Sequence, residues 1–170
     1  MPYLLRALRL LAIVVWVGGL IFFAFVEAPT AFHAMGTTRE FALLIGGSIA
    51  AINRIGQIAG LVFIIATLLL WKHGSPVARK LFAWELVAVV LMLAATVYVQ
   101  SGIVPAMESD RASVGGDITA VAPDNPTRAH FDALHARSEK VEGTALFVGI
   151  GVVLLMAGED SRRALPTTTR

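Results

Sequence analysis

Four apolar runs without a single charge fix most of what this chain can fold into. They are Leu10–Val26, Ile55–Trp71, Leu86 to about Val104, and Gly143–Gly158. A helix rises 1.5 Å per residue, so crossing the hydrocarbon core of a bilayer takes about 20 mostly apolar residues. The second and fourth runs are short alone. Amphipathic stretches, Arg39–Asn53 and Arg128–Glu142, precede them and can lengthen each helix. The pattern predicts an all-α integral membrane four-helix bundle of up-down topology. It forms one domain over residues 1–158, with spans near 8–28, 53–71, 82–104 and 139–158. Residues 39–53 and 128–142 form amphipathic outer segments, and 159–170 form a tail.

Composition excludes the other classes. Charged residues make up 15% of the 170, against about 25% in a soluble domain. A small soluble protein has too much surface for its volume to hide so apolar a chain. Disorder needs the opposite composition. The formal charge is only +2, and no basic cluster interleaves with aromatics, so nucleic acid is not a partner. The absence of cysteine excludes disulfides, thiolate metal sites and covalent haem attachment. Arg6 and Arg9 before an apolar run resemble a signal peptide. The run is long for a signal core, however, and Val26-Glu27-Ala28 followed by Pro29 does not suit cleavage, so an uncleaved first span is expected.

Lysine and arginine set the expected orientation. The short Trp71–Leu81 loop carries Lys72, Arg79 and Lys80 and no acid, and the terminal segments carry Arg6, Arg9, Arg162, Arg163 and Arg170. Most acids lie in the other two connections. Both termini are therefore expected on the cytoplasmic side of a bacterial inner membrane. The two outer connections share a plan: a span reaching a proline (Pro29, Pro105), a polar stretch, then an amphipathic helix leading into the return span. This suggests two related hairpins of low residue identity. Pro105–Pro126 is the most loop-like segment.

Small residues at Gly18, Gly19, Gly56 and Gly60 supply faces for close helix packing, with Gly56 and Gly60 spaced for a helix crossing. Such faces leave open a homo-oligomer, or a role as a small subunit of a larger membrane complex, alongside contact with the lipid bilayer. Trp71 and Trp84 suit an interfacial belt. Charges at the span edges are costly and often functional. Glu85 is placed to pair with Arg6 or Arg9, and Arg54 with Glu27 or Glu142. Asn53, Arg54 and Gln57 make a polar patch at the start of the second span. Phe131, His135, Ser138 and Glu142 fall on one helix face. Continued, that face reaches Ala145 and Gly149, which points it into the bundle. The candidate site is thus a polar outer mouth of His135, Ser138, Glu142, Glu27, Arg54 and Asn53, taking a small ligand or partner.

Imidazole and thioether together suit copper, above all Cu(I). His33, Met35, Met107 and His135 would form such a set if the outer ends of the hairpins met, and two histidines could instead clamp a haem. His130 and His135 are five apart and cannot face one metal. No nucleophile triad, HExxH, phosphate loop or pair of catalytic carboxylates appears, so no enzyme is expected.

Trp16-Val17-Gly18-Gly19, Phe22-Phe23 and Ala28-Pro29-Thr30-Ala31-Phe32 resemble the first helix of the transmembrane protein 205-like family (domain of unknown function 4149). Phe131-Asp132-Ala133-Leu134-His135-Ala136-Arg137-Ser138 is similar to that family's F-x-x-L-H-x-x-S segment before its last helix. The tryptophan, glycines and proline of the first helix are also similar to copper resistance protein D-like membrane proteins. The resemblance implies a small four-helix membrane protein without assigned biochemistry and, through eukaryotic relatives, a link to resistance against metal-containing drugs. One departure stands out. The family often has Asn soon after that Ser, where this chain has Glu139 and Glu142.

Overall fold

The structure is a computed structural model that describes residues 2–36 and 39–164, with side chains through Gly158. Four long helices carry almost all of it: α1 (Pro2–Met35), α2 (Arg39–Trp71), α3 (Pro76–Ser113) and α4 (Pro126–Ala164). Each is long and apolar enough to span a membrane. No strand occurs among the described residues. α1 packs beside α2 and α4, and α3 packs beside the same two. The helices therefore form a closed square in chain order, with α1 facing α3 and α2 facing α4 across the diagonals.

Each helix runs past the span expected for it. The amphipathic stretches before the second and fourth runs are continuous with them. Pro29 and Pro105 do not end their helices either. A proline lacks the N–H that the helix ladder needs, and its ring crowds the carbonyl four residues back. Both helices absorb this in a π turn just before the proline, Phe23–Glu27 in α1 and Val99–Ile103 in α3. There the bonds widen to five residues: the Ala28 N–H donates to the Phe23 carbonyl, and the Val104 N–H to the Val99 carbonyl. The Pro105–Pro126 segment is consequently helical as far as Ser113. Only residues 114–125 are loop, with a 3-10 turn at Ile118–Ala120. Asp117 caps that turn by accepting from the Thr119 amide at 2.9 Å and hydroxyl at 2.7 Å, and these bonds hold its carboxyl below the usual range. At the other connection the Ser75 hydroxyl caps α3 by accepting from the Ala78 amide at 3.3 Å.

The two hairpins repeat each other. Arg9 and Glu85 are 76 residues apart. The same offset relates Ile13 to Val89, Trp16 to Met92 and Leu20 to Thr96, and every one of these is buried. It also relates the two π turns and the two prolines. For the return helices a second constant offset, that from position 53 to 142, relates Gly56 to Ala145, Gly60 to Gly149 and Phe63 to Val152, again all buried. The extra length is taken up in the 114–125 loop. The related hairpins expected from the two prolines are thus present as a register of buried positions, although the residues themselves differ.

Glycine sets the closest approaches. A Cβ on Gly56 would lie 2.2 Å from the Trp16 indole nitrogen, and one on Gly60 would lie 2.8 Å from both the Trp16 ring and Leu93. The repeat mirrors this: a Cβ on Gly149 would lie 2.9 Å from Met92 and 2.6 Å from Val17. Trp16 is therefore the central core residue of its hairpin, 1% exposed, and not an interfacial one. Gly19 sits 3.7 Å from Ile52, so it packs. Gly18 does not, because it is exposed and nothing approaches its Cβ direction within 4 Å. The helix turns by 100° per residue, so the second glycine of a pair cannot share the face of the first.

Candidate functional site: two polar layers in the bundle core

The bundle buries polar groups at two levels, one on each diagonal. Near the end that holds the chain termini, Arg9 of α1 and Glu85 of α3 form an ion pair through the centre, at 1% and 0% exposure. The Arg9 guanidinium also lies over two aromatic rings, 5.1 Å from Phe63 and 4.7 Å from Phe82. Of the two partners open to Glu85, Arg6 lies one turn nearer the helix start and is exposed. The aromatic lining matters because a buried ion pair balances its desolvation only with good geometry and further partners.

Toward the opposite end, Asn53 of α2 is 1% exposed, and its amide faces the Glu142 carboxylate of α4 across the other diagonal. The Asn53 amide also lies 3.5 Å from Gln100 of α3. Gln100 sits inside the π turn of α3. Such turns recur at functional sites because they re-aim a side chain without ending the helix. Asn53 and Phe63 are ten residues apart on α2, so the two polar layers stand roughly 15 Å apart along the helix. Both therefore fit within a hydrocarbon core about 30 Å thick. Between them lie Ile13, Trp16, Val89 and Met92, all 1% exposed or less.

The sequence-derived site residues separate into those that meet and those that do not. Asn53 and Glu142 meet. Ser138 is half-buried and donates only to the His135 carbonyl of its own helix, at 2.8 Å. The helix face that carries it is covered unevenly. Arg111 of α3 stacks over Phe131 at 5.4 Å, whereas His135 is 54% exposed, pairs with Glu139 at 3.3 Å and stacks on Phe131. Glu27 is half-buried and Arg54 exposed. Neither makes an ion pair among the described residues, so the expected Arg54 pairing with Glu27 or Glu142 does not form. The reason is directional: Arg54 follows Asn53 by one residue and points about 100° away from it.

His33 and Met35 are exposed at the end of α1, Met107 is half-buried in α3, and His135 is on α4. Among the described residues no hydrogen bond or ring contact joins any two of these four. No group of three or more His, Cys, Asp or Glu that could hold a metal occurs there either.

Two features were missed in the sequence. Gln100 was the first; its signal was an amide inside an apolar run five residues before a proline. The second is the tie between the far ends of α3 and α4, where His130 Nδ1 of α4 lies 2.7 Å from Asp110 of α3; beside it, Arg111 pairs with Glu108 within α3.

No curated protein and no solved structure matches the chain. A family does. The match begins one residue after Leu10, takes in Trp16, Asn53, Glu85 and Gln100, and stops short of the Phe131–Ser138 stretch and Glu142. Residues 11–112 match the family described as Domain of unknown function (DUF4149), and the chain belongs to it.

Proposed function

We propose that this multi-pass membrane protein is not an enzyme, and that it binds a small monovalent cation at the Asn53–Gln100–Glu142 layer. One observation carries the reading. Glu142 is a carboxylate inside a membrane-spanning helix whose polar neighbour is the Asn53 amide, and among the described residues no lysine or arginine pairs with it. An ionisable group at such depth is expensive and is a functional candidate by default. The other layer shows the contrast, since there Arg9 already supplies the counter-charge to Glu85. A carboxylate beside the Asn53 carboxamide, which itself reaches Gln100 at 3.5 Å, offers oxygen acceptors and amide donors, which suits a hard cation or a proton carrier.

A ligand that binds only the folded state stabilises it by about 2.7 kcal/mol at a concentration 100 times its Kd. For a chain of this size that is roughly 5–10 °C in Tm. Of Na+, K+, Cu(I) and tetramethylammonium, the purified protein should therefore melt higher with Na+ or K+. Cu(I) is in the panel as a soft ion that an oxygen-lined layer should not favour. Glu142→Gln should remove the shift while leaving the ligand-free Tm within a few degrees. A flat response of the wild type to all four, or a shift that survives in Glu142→Gln, would reject the site.

The basic Trp71–Leu81 loop supports a cytoplasmic location for both termini, in a bacterial inner membrane. Green fluorescent protein fused after Arg170 should fluoresce, and alkaline phosphatase fused there should be inactive. The reverse pair of results would invert the topology.

A further inference from the structure

We infer that the groove between α3 and α4 near the chain-terminal end binds the acyl chain of an anionic glycerophospholipid whose headgroup is held by Lys80. The groove has a volume of about 610 Å³ and is walled by Trp84, Val87, Leu91, Val148 and Leu154, with Gly151 as its floor. Lys80, Trp84, Val87 and Leu91 follow each other at steps of four, three and four, so they form one stripe on α3. All four are exposed. From Trp84 to Leu91 the groove runs roughly 10 Å down the helix, and Lys80 stands one turn above it. The Lys80 ammonium makes no ion pair among the described residues. A cation, an amphipathic indole and an apolar trough therefore line up in the order in which a phospholipid presents its phosphate, glycerol and chain.

The internal repeat provides the comparison that makes this specific. In the first hairpin the positions equivalent to Lys80, Trp84 and Gly151 are Leu4, Leu8 and Val62. That surface has no cation at the position of Lys80, no indole at that of Trp84 and a valine in place of the glycine. The trough is a feature of one hairpin, not of the fold. Its walls are apolar, as lipid-facing walls are, so the selectivity must come from Lys80.

The test uses the full-length protein in vesicles, with Trp71→Phe so that Trp84 dominates the lipid-accessible fluorescence; Trp16 is buried and gives a constant background. Phosphatidylglycerol or phosphatidylcholine with brominated chains is added at equal mole fraction. One lysine at an anionic headgroup gives a preference of roughly fivefold. Trp84 should therefore be quenched at about a fivefold lower fraction of the phosphatidylglycerol. Lys80→Gln should abolish the preference, and Gly151→Leu should weaken quenching by the anionic lipid by filling the trough. A tryptophan placed at the equivalent site of the other hairpin, Leu8→Trp, in a protein that also carries Trp71→Phe and Trp84→Phe, should be quenched equally by both lipids. Equal quenching of Trp84 by the two lipids would overturn the inference. So would an Arg79→Gln variant that loses the preference as fully as Lys80→Gln, since that would trace it to diffuse surface charge.

Discussion

Replacing Glu85 by alanine is expected to lower the Tm of the purified protein in detergent by 10 °C or more. The carboxylate is fully buried, and its removal takes the ion-pair partner from an Arg9 guanidinium that lies over the faces of Phe63 and Phe82 in the bundle core. Breaking a buried pair in this way costs about 3–5 kcal/mol, because an uncompensated charge remains. The double replacement Arg9→Met with Glu85→Leu removes both charges and should recover most of the loss. The exchange Arg9→Glu with Glu85→Arg gives a finer reading. Positions 9 and 85 are equivalent in the two hairpins, so a pair can form in either sense. A guanidinium at position 85, however, would meet Val152 where Arg9 meets Phe63, by the offset that relates the return helices. The exchanged protein should fall short of the original by the lost aromatic contacts, about 0.5–2 kcal/mol. A Glu85→Ala protein as stable as the original would mean that the pair contributes nothing.

The second large effect is expected at Gly56. Leucine there would occupy the space of the Trp16 indole, whose nitrogen already lies 2.2 Å from where a Cβ would stand. The indole is a large ring buried to 1% exposure in the bundle centre, so it cannot yield cheaply, and overpacking of this kind costs typically 1–3 kcal/mol. Gly56→Leu should reduce Tm by several degrees and red-shift the Trp16 emission as the ring is pushed from its slot. Gly18→Leu serves as the control, since it projects into open space and should change neither reading. Combining Gly56→Leu with Trp16→Ala should restore part of the stability, because the cavity left by the indole accommodates the new side chain. If the double variant is worse than the sum of the two single ones, the indole and Gly56 are not competing for the same volume.

Some of this was readable from the chain and some was not, and the division has physical causes. The four spans were legible because lipid tolerates so few charges that their absence marks a span directly. Glu85 was legible as a partner for Arg6 or Arg9, but the choice depended on the axial registration of two helices that are not neighbours in the chain. The prolines misled in one respect. Pro29 and Pro105 read as helix ends, yet the preceding residues widen into π turns and both helices continue to Met35 and Ser113. That widening places Gln100, which no periodicity of 3.6 would single out. The residues placed at the outer mouth separate by direction. Asn53 and Glu142 point inward, while His135, on the same nominal stripe, is left in the open because Arg111 covers only the Phe131 side.

The repeat of the two hairpins has a consequence for how such a bundle can carry charge on its axis. Two identical half-length chains packed as a symmetric dimer would set each axial residue against its own copy. Arg9 would face Arg9, or Glu85 would face Glu85, and like charges in a low dielectric repel. Asn53 facing Asn53 would be tolerable, but Glu142 facing Glu142 would not. A single covalent chain escapes this restriction, because the two sequences can diverge at matched positions while the architecture stays twofold. Opposite charges on one diagonal, and an amide against an acid on the other, are arrangements that a symmetric dimer of identical chains cannot hold.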